Sequence, residues 1–174
     1  TIEWVDNDND PATFEVVSGD WRYVRRDTRF AEYDYRYALG DGQSVQWTLD
    51  TGGAAVVDVA ATWAGGMNRA TQAKYVVRDE AGTVLLTKYV NQNLAPDDFE
   101  NAGTMWEMLG TVTPTTGQTL TVELSTDNAG GYVRLGPLTL GKDIRDMGGK
   151  VVVHLACSDR SRASLESVAF GLAS

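Results

Sequence analysis

Cysteine and histidine are almost missing from the 174 residues: Cys157 and His154 are the single examples of each. One cysteine excludes an internal disulfide and any structural zinc site, which takes several thiolates. His154 lies inside the apolar run Val151–Ala156, where a histidine reads as a strand residue facing the interior. His154-x-x-Cys157 offers two ligands, too few for a structural metal. A Ser-His-Asp site lacks its Gly-x-Ser-x-Gly elbow, and no glycine-rich phosphate loop precedes a helix. Apolar runs of the ~18 residues that mark a membrane span are absent. Positive charge is scarce: 15 Lys and Arg against 24 Asp and Glu give a net charge of −9. That balance repels phosphate backbones and anionic lipid and argues against nucleic-acid and membrane-surface roles. An initiator Met and a signal peptide are lacking too. The start Thr1-Ile2-Glu3-Trp4 reads as an excised module or mature fragment.

What is present is ordinary globular composition, 43% hydrophobic and 22% charged, with 18 glycines. The length fits one domain over residues 1–174 with a core of its own. The pattern is period two, with little helical periodicity. Residues 45, 47 and 49 share one face of Gln43–Leu49, as do 57, 59, 61 and 63 of Val57–Trp63. Leu120-Thr121-Val122-Glu123-Leu124 is the cleanest alternation. Further strands are predicted at Ile2–Val5, Thr13–Val17, Trp21–Val24, Tyr33–Leu39, Ala73–Asp79, Thr83–Val90, Trp106–Val112, Tyr132–Leu140, Val151–Ala156 and Ser164–Leu172. Glycine turns at Gly40-Asp41-Gly42, Gly52-Gly53, Gly65-Gly66, Gly130-Gly131 and elsewhere separate them. About a dozen short strands with regular turns predict an all-β, antiparallel β-sandwich of jelly-roll type. Pro96–Asn101 is predicted as one short helical turn.

Several motifs then form a recognisable series. Trp4-Val5-Asp6-Asn7 is followed by Asp34-Tyr35-Arg36-Tyr37-Ala38 and by Trp63-x-Gly-Gly-x-Asn68-Arg69-Ala70-Thr71-x-Ala73-x-Tyr75-x-Val77. Val90-Asn91-Gln92, Trp106-x-x-Leu109-Gly110 and Gly131-Tyr132-Val133-x-Leu135 complete it. The series resembles the golvesin C-terminal-like domain, also found appended to xanthan lyases and other bacterial extracellular enzymes. The resemblance covers residues 3–140, with Trp63–Val77 its most specific part and a closing strand at Leu165–Phe170. It implies a β-jelly-roll accessory module that binds carbohydrate. Residues 142–162, with the charged loop Ser158-Asp159-Arg160-Ser161-Arg162, depart from the pattern as an insertion before the closing strand.

Candidate ligand contacts come from three places. Arg22, Arg25, Arg26, Arg29 and Arg36, five of the eleven arginines, are interleaved with Trp21, Tyr23, Phe30, Tyr33, Tyr35 and Tyr37. Guanidinium groups pair bidentately with carboxylate or sulfate, and flat rings stack on sugars. Trp21, Tyr23, Arg25, Arg26 and Arg29 lie in the less patterned part and are the better contact candidates; Tyr35, Arg36 and Tyr37 read as scaffold. The competing reading is that Asp20, Asp27, Glu32 and Asp34 pair with these arginines on the loop. The second place is Trp63, Asn68 and Arg69, where Asn and Arg offer planar donors to sugar hydroxyls, or Arg69 braces the loop. Trp106 is the third. Asp6-Asn7-Asp8-Asn9-Asp10 resembles half a calcium loop, but the sixth-position Gly and twelfth-position Glu of an EF-hand are missing. An Asx-rich turn leading to Pro11 is the better reading, so neither a metal nor any other cofactor is expected.

The expected function is therefore a non-catalytic carbohydrate-binding module of a larger secreted bacterial protein. It acts as a monomer attached to other domains, on a polysaccharide or oligosaccharide with anionic character. Two other readings stand beside it. One is a structural or protein-binding sandwich, a spacer or adhesin stem; the other is a polysaccharide-degrading enzyme on the same fold. Exposure of Trp21, Tyr23, Trp63 and Trp106 in one groove favours binding, and their burial favours the structural module.

Overall fold

The computed structural model describes residues 3–5, 12–25, 34–101, 103–136 and 138–142. The Asp6–Asp10 loop, Arg26, Arg29, the 142–162 insertion beyond Lys142, His154, Cys157 and the closing strand at Leu165–Phe170 lie outside them. Thirteen strands and no helix are present among the described residues, and every strand pair is antiparallel.

One five-stranded sheet has the order β1 (Glu3–Val5), β13 (Leu138–Lys142), β6 (Val57–Ala61), β10 (Thr104–Val112), β9 (Phe99–Asn101). The other has the order β2 (Phe14–Ser18), β5 (Ser44–Asp50), β11 (Thr119–Ser125), β7 (Ala73–Asp79), β8 (Val84–Val90). A three-stranded sheet, β12 (Val133–Leu135), β4 (Asp34–Ala38), β3 (Arg22–Arg25), completes the molecule. The two larger sheets sandwich the core, as the jelly-roll expectation requires.

Alternation decides which residues meet there, because successive side chains of a strand point to opposite faces. Val45, Trp47 and Leu49 of β5 lie across from Leu124, Val122 and Leu120 of β11, and all six are buried. Tyr75 and Val77 of β7 extend the layer, and Val57, Val59 and Ala61 of β6 face it from the opposite sheet. Phe14 closes one end, its ring 5.5 Å from that of Trp47. Each fully buried large apolar side chain contributes roughly 1.5–3 kcal/mol.

Two expectations are corrected. Pro96–Asn101 holds no helical turn: Phe99–Asn101 is strand β9, in hairpin register with Thr104–Trp106. The backbone N–H of Asp98 donates to Trp106 O at 3.1 Å, and its carboxylate accepts from Met108 N at 2.7 Å. That backbone is thus committed to β10 and has no call on helical bonds. Tyr132–Leu140 is two strands in two sheets, β12 and β13. The chain changes sheet at Gly136, where a Cβ would approach Thr62 O to 2.9 Å.

Candidate functional site

Tryptophan burial organises the site. Trp21 is 5% exposed, Trp63 5% and Trp106 2%. None presents a ring face to solvent, so their expected role as stacking platforms is replaced by anchoring. Trp21 donates its indole N–H to Ser18 O at 3.2 Å. Trp63 donates to Leu94 O at 2.8 Å, pinning the loop after β8. Gly65 completes that junction: a Cβ there would come within 2.7 Å of Ala95 N and 2.8 Å of the Leu94 carbonyl carbon. Trp106 sits in β10, in a different sheet from Tyr23.

Asn68 and Arg69 work the same way. Asn68 is exposed, but its Oδ1 accepts from the Arg69 guanidinium, and Arg69 is buried. Their backbones clamp Tyr132: its N–H donates to Asn68 O at 3.1 Å, and its carbonyl accepts from Ala70 N at 2.8 Å. The Trp63–Thr71 motif is therefore a brace whose product is the position of Tyr132. Tyr23 is half-buried, with the Arg36 guanidinium 4.9 Å from its ring centroid. Arg25 pairs by backbone with Asp34, and Arg26 and Arg29 are outside the described residues.

A hollow of about 300 Å³ opens on the three-stranded sheet, lined by Asp20, Arg22, Tyr37, Ala38, Leu39, Gln43 and Tyr132. Strand register builds it. Arg22 lies directly across from Tyr37, and Arg134 flanks Tyr37 on the other side. Tyr35, two residues along, shares the face of Tyr37, with ring centroids 6.1 Å apart, and the Arg134 guanidinium lies 4.2 Å over Tyr35. Tyr132 meets Tyr37 edge-on, centroids 5.8 Å apart at 74°. Both rings are half-buried. The nearby Tyr37 hydroxyl and, after it, the Asp20 carboxylate push the Arg22 pKa above the ordinary arginine value.

Gln43 fixes the rim. Its Oε1 accepts from Asp20 N at 2.9 Å, and its Nε2 donates to Leu39 O at 2.5 Å and Gly40 O at 3.3 Å. Gly19, at φ +89°, allows the close approach of that side chain. Asp41 and Asp127 add a second tie, accepting from Asn128 N at 2.9 Å and Gly42 N at 2.8 Å. The hollow is thus a prearranged set of two rings, one guanidinium and one carboxylate, chemistry suited to a hydroxylated ring.

The sequence reading missed Asp20, Gln43 and Tyr132 and took Tyr37 for scaffold. Arg22 and Tyr37 were findable: a hairpin centred between Trp21 and Ala38 brings them opposite. Tyr132 arrives through the parallel bridge to Arg69, which nothing local announces. The carboxylates of Asp97, Asp98 and Glu107 form the one close acidic triad among the described residues, their oxygens within 4.8 Å of one another. Burial raises the Glu107 pKa, the Asp98 charge adds to this, and Lys88 opposes it.

Comparison with known proteins places this architecture. The fold is that of carbohydrate-binding jelly rolls. A carbohydrate-binding module of family 35 from Cellvibrio japonicus Abf62 matches with a TM-score of 0.52 and 16% identity, over 90% of this chain and 99% of its own. The family 35 module Xyl-CBM35, solved with a glucuronic-acid-containing disaccharide, matches at 0.53 and 18%, over 88% of this chain and 98% of that one. The Paenibacillus xanthan lyase matches at 0.66 with 32% identity over 82% of this chain; the chain spans 13% of the lyase. The model of the golvesin C-terminal domain matches residues 4–134, and the chain belongs to that family. No curated protein sequence matches it.

Proposed function

We propose that the chain is a non-catalytic carbohydrate-binding module that holds a polysaccharide at the Tyr37–Tyr132 hollow. The observation that carries this reading is the convergence there of two half-exposed rings, Arg22 and Asp20 on a rim braced from three loops. The module folds as one domain over residues 1–174, with 142–162 inserted before a closing strand. It serves a larger extracellular bacterial protein and acts as a monomer. The fold shared with carbohydrate-binding modules supports this, as does the small share of the xanthan lyase that the chain matches. A non-catalytic role is supported by the lining itself. Asp20 is its one carboxylate, whereas glycoside hydrolysis ordinarily takes two carboxyls flanking the bond.

Binding through a shallow hollow is weak per site, and millimolar to micromolar affinity suffices on a repeating polymer. A glycan array with neutral and acidic polysaccharides tests the reading. Retention on at least one polymer is expected, and Tyr37→Ala with Tyr132→Ala should abolish it. Retention unchanged in that double variant defeats the assignment of the site. New reducing ends, or absorbance from unsaturated uronate, defeat the non-catalytic role. The structural-module reading has one observation in its favour, the burial of Trp21, Trp63 and Trp106; failure to bind any glycan would establish it in place of ours.

A further inference from the structure

We propose that Asp20 is a specificity-determining residue: it fixes a negative charge beside Arg22, so the hollow reads adjacent hydroxyls of an uncharged sugar and disfavours carboxylated ones. This rests on the glycan-binding reading and runs against the anionic ligand that the arginine count suggests.

The placement of Asp20 is built in. Trp21 is buried and tied to Ser18 O, while Asp20 and Arg22 on either side of it are exposed. The Asp20 N–H is held by Gln43 Oε1, whose amide is itself anchored on Leu39 and Gly40. The held backbone sets Asp20 beside Arg22 on the rim, with its carboxylate within ion-pair range of the guanidinium. Its Oδ2 lies 3.8 Å from Arg22 Nε, beyond hydrogen-bond distance, and the two side chains are 87% and 68% exposed. The pair is open, and both groups keep capacity for a ligand.

Chemistry then discriminates. A guanidinium only donates and a carboxylate only accepts. A sugar hydroxyl does both, so two neighbouring hydroxyls can accept from Arg22 and donate to Asp20 at once. A ligand carboxylate cannot donate to Asp20; it must compete with Asp20 for Arg22 and bear the repulsion of a like charge. The local Asp–Arg charge is zero on a chain of net −9, which gives an anion no long-range attraction.

The experiment is affinity electrophoresis of the full chain in gels carrying matched polymers. Suitable pairs are polygalacturonate and its carboxyl-reduced form, alginate and its carboxyl-reduced form, and carboxymethyl- and hydroxyethylcellulose. The parent protein is expected to be retarded more by the uncharged member of any pair it binds. Asp20→Asn should move the ratio toward the charged member by roughly 2- to 5-fold, the scale of one exposed charge contact. Glu100→Gln, the same change in net charge on exposed β9, should leave the ratio unmoved. Preference of the parent for the charged member, or equal shifts in the two variants, overturns the proposal while leaving glycan binding intact. No retardation by any polymer defeats the glycan reading and this inference with it. Circular dichroism of each variant confirms that the fold is retained.

Discussion

Replacing Gln92 by Leu should cost this domain a large part of its stability, although no apolar contact is lost. Gln92 is 0% exposed and follows β8 directly. Its amide takes the place of a neighbouring strand for β12: Nε2 donates to Arg134 O at 2.6 Å, and Oε1 accepts from Arg134 N at 2.8 Å. Leucine matches the volume and satisfies none of these groups. A buried polar group that loses its partner costs about 1–3 kcal/mol, so the two Arg134 backbone groups together cost roughly 2–6 kcal/mol. Against a typical total of about 5–15 kcal/mol, that is a large fraction, equivalent to a fall in Tm of about 5–15 °C. Urea unfolding followed by the fluorescence of the five tryptophans reads it directly. Gln92→Glu separates hydrogen bonding from shape. It keeps an acceptor for Arg134 N–H, loses the donor, and buries a charge, which raises that carboxyl's folded pKa. Its deficit should therefore be large at neutral pH and shrink as pH falls and the carboxyl regains a proton to donate. A loss within about 0.5 kcal/mol for Gln92→Leu would refute the claim that the amide replaces a strand.

Two pH effects of opposite sign follow from the carboxylates. Asp79 accepts from Thr115 Oγ1, at 2.5 Å, and from Thr83 N and Ala81 N; these bonds, led by Thr115, hold its pKa below the ordinary carboxylate value. Its stabilising contribution is complete above the ordinary carboxylate range and disappears as pH falls through the lowered folded pKa. Asp79→Asn should lower Tm at pH 7 and converge on the parent in acid. Glu107, raised by burial and by Asp98, opposes folding when ionised. Glu107→Gln should raise Tm at neutral pH, with the gain fading as pH falls through the raised pKa and the parent's carboxyl becomes neutral. Thermal scans from pH 3 to 8 check both, and a gain in the Asp79 variant or a loss in the Glu107 variant at pH 7 contradicts the assignments.

Most of the fold was legible because burial on one face writes itself into sequence with period two. Val45-x-Trp47-x-Leu49 and Leu120-x-Val122-x-Leu124 are core rows in the places their alternation assigns. The failures have local causes. Pro96–Asn101 carries no alternation long enough to read, and its strand exists because β10 supplies a partner. The break at Gly136 depends on Thr62, a contact between distant segments. The site was less legible for a related reason. Tryptophan is the residue most suited to stacking on a sugar and also the largest available core anchor, and composition does not distinguish these uses. Trp21, Trp63 and Trp106 went inward, each bringing a loop or strand with it.

That choice has a consequence for how such a surface recognises a ligand. A half-exposed tyrosine held by its neighbours loses little freedom on binding, so more of each contact survives as affinity. Tyr37 is held by Tyr132 and by its strand neighbours; Tyr132 is held by the backbone of Asn68 and Ala70. Asn68 and Ala70 are held in turn by the Trp63 loop, which Leu94 secures. In the binding mode proposed above, the Trp63–Thr71 motif acts at one remove: its buried tryptophan and arginine would not meet the sugar but would determine how firmly the tyrosines are held. Loosening Trp63 should weaken glycan binding through faster dissociation, with the contacting residues unchanged, whereas removing Tyr37 takes away the contact itself.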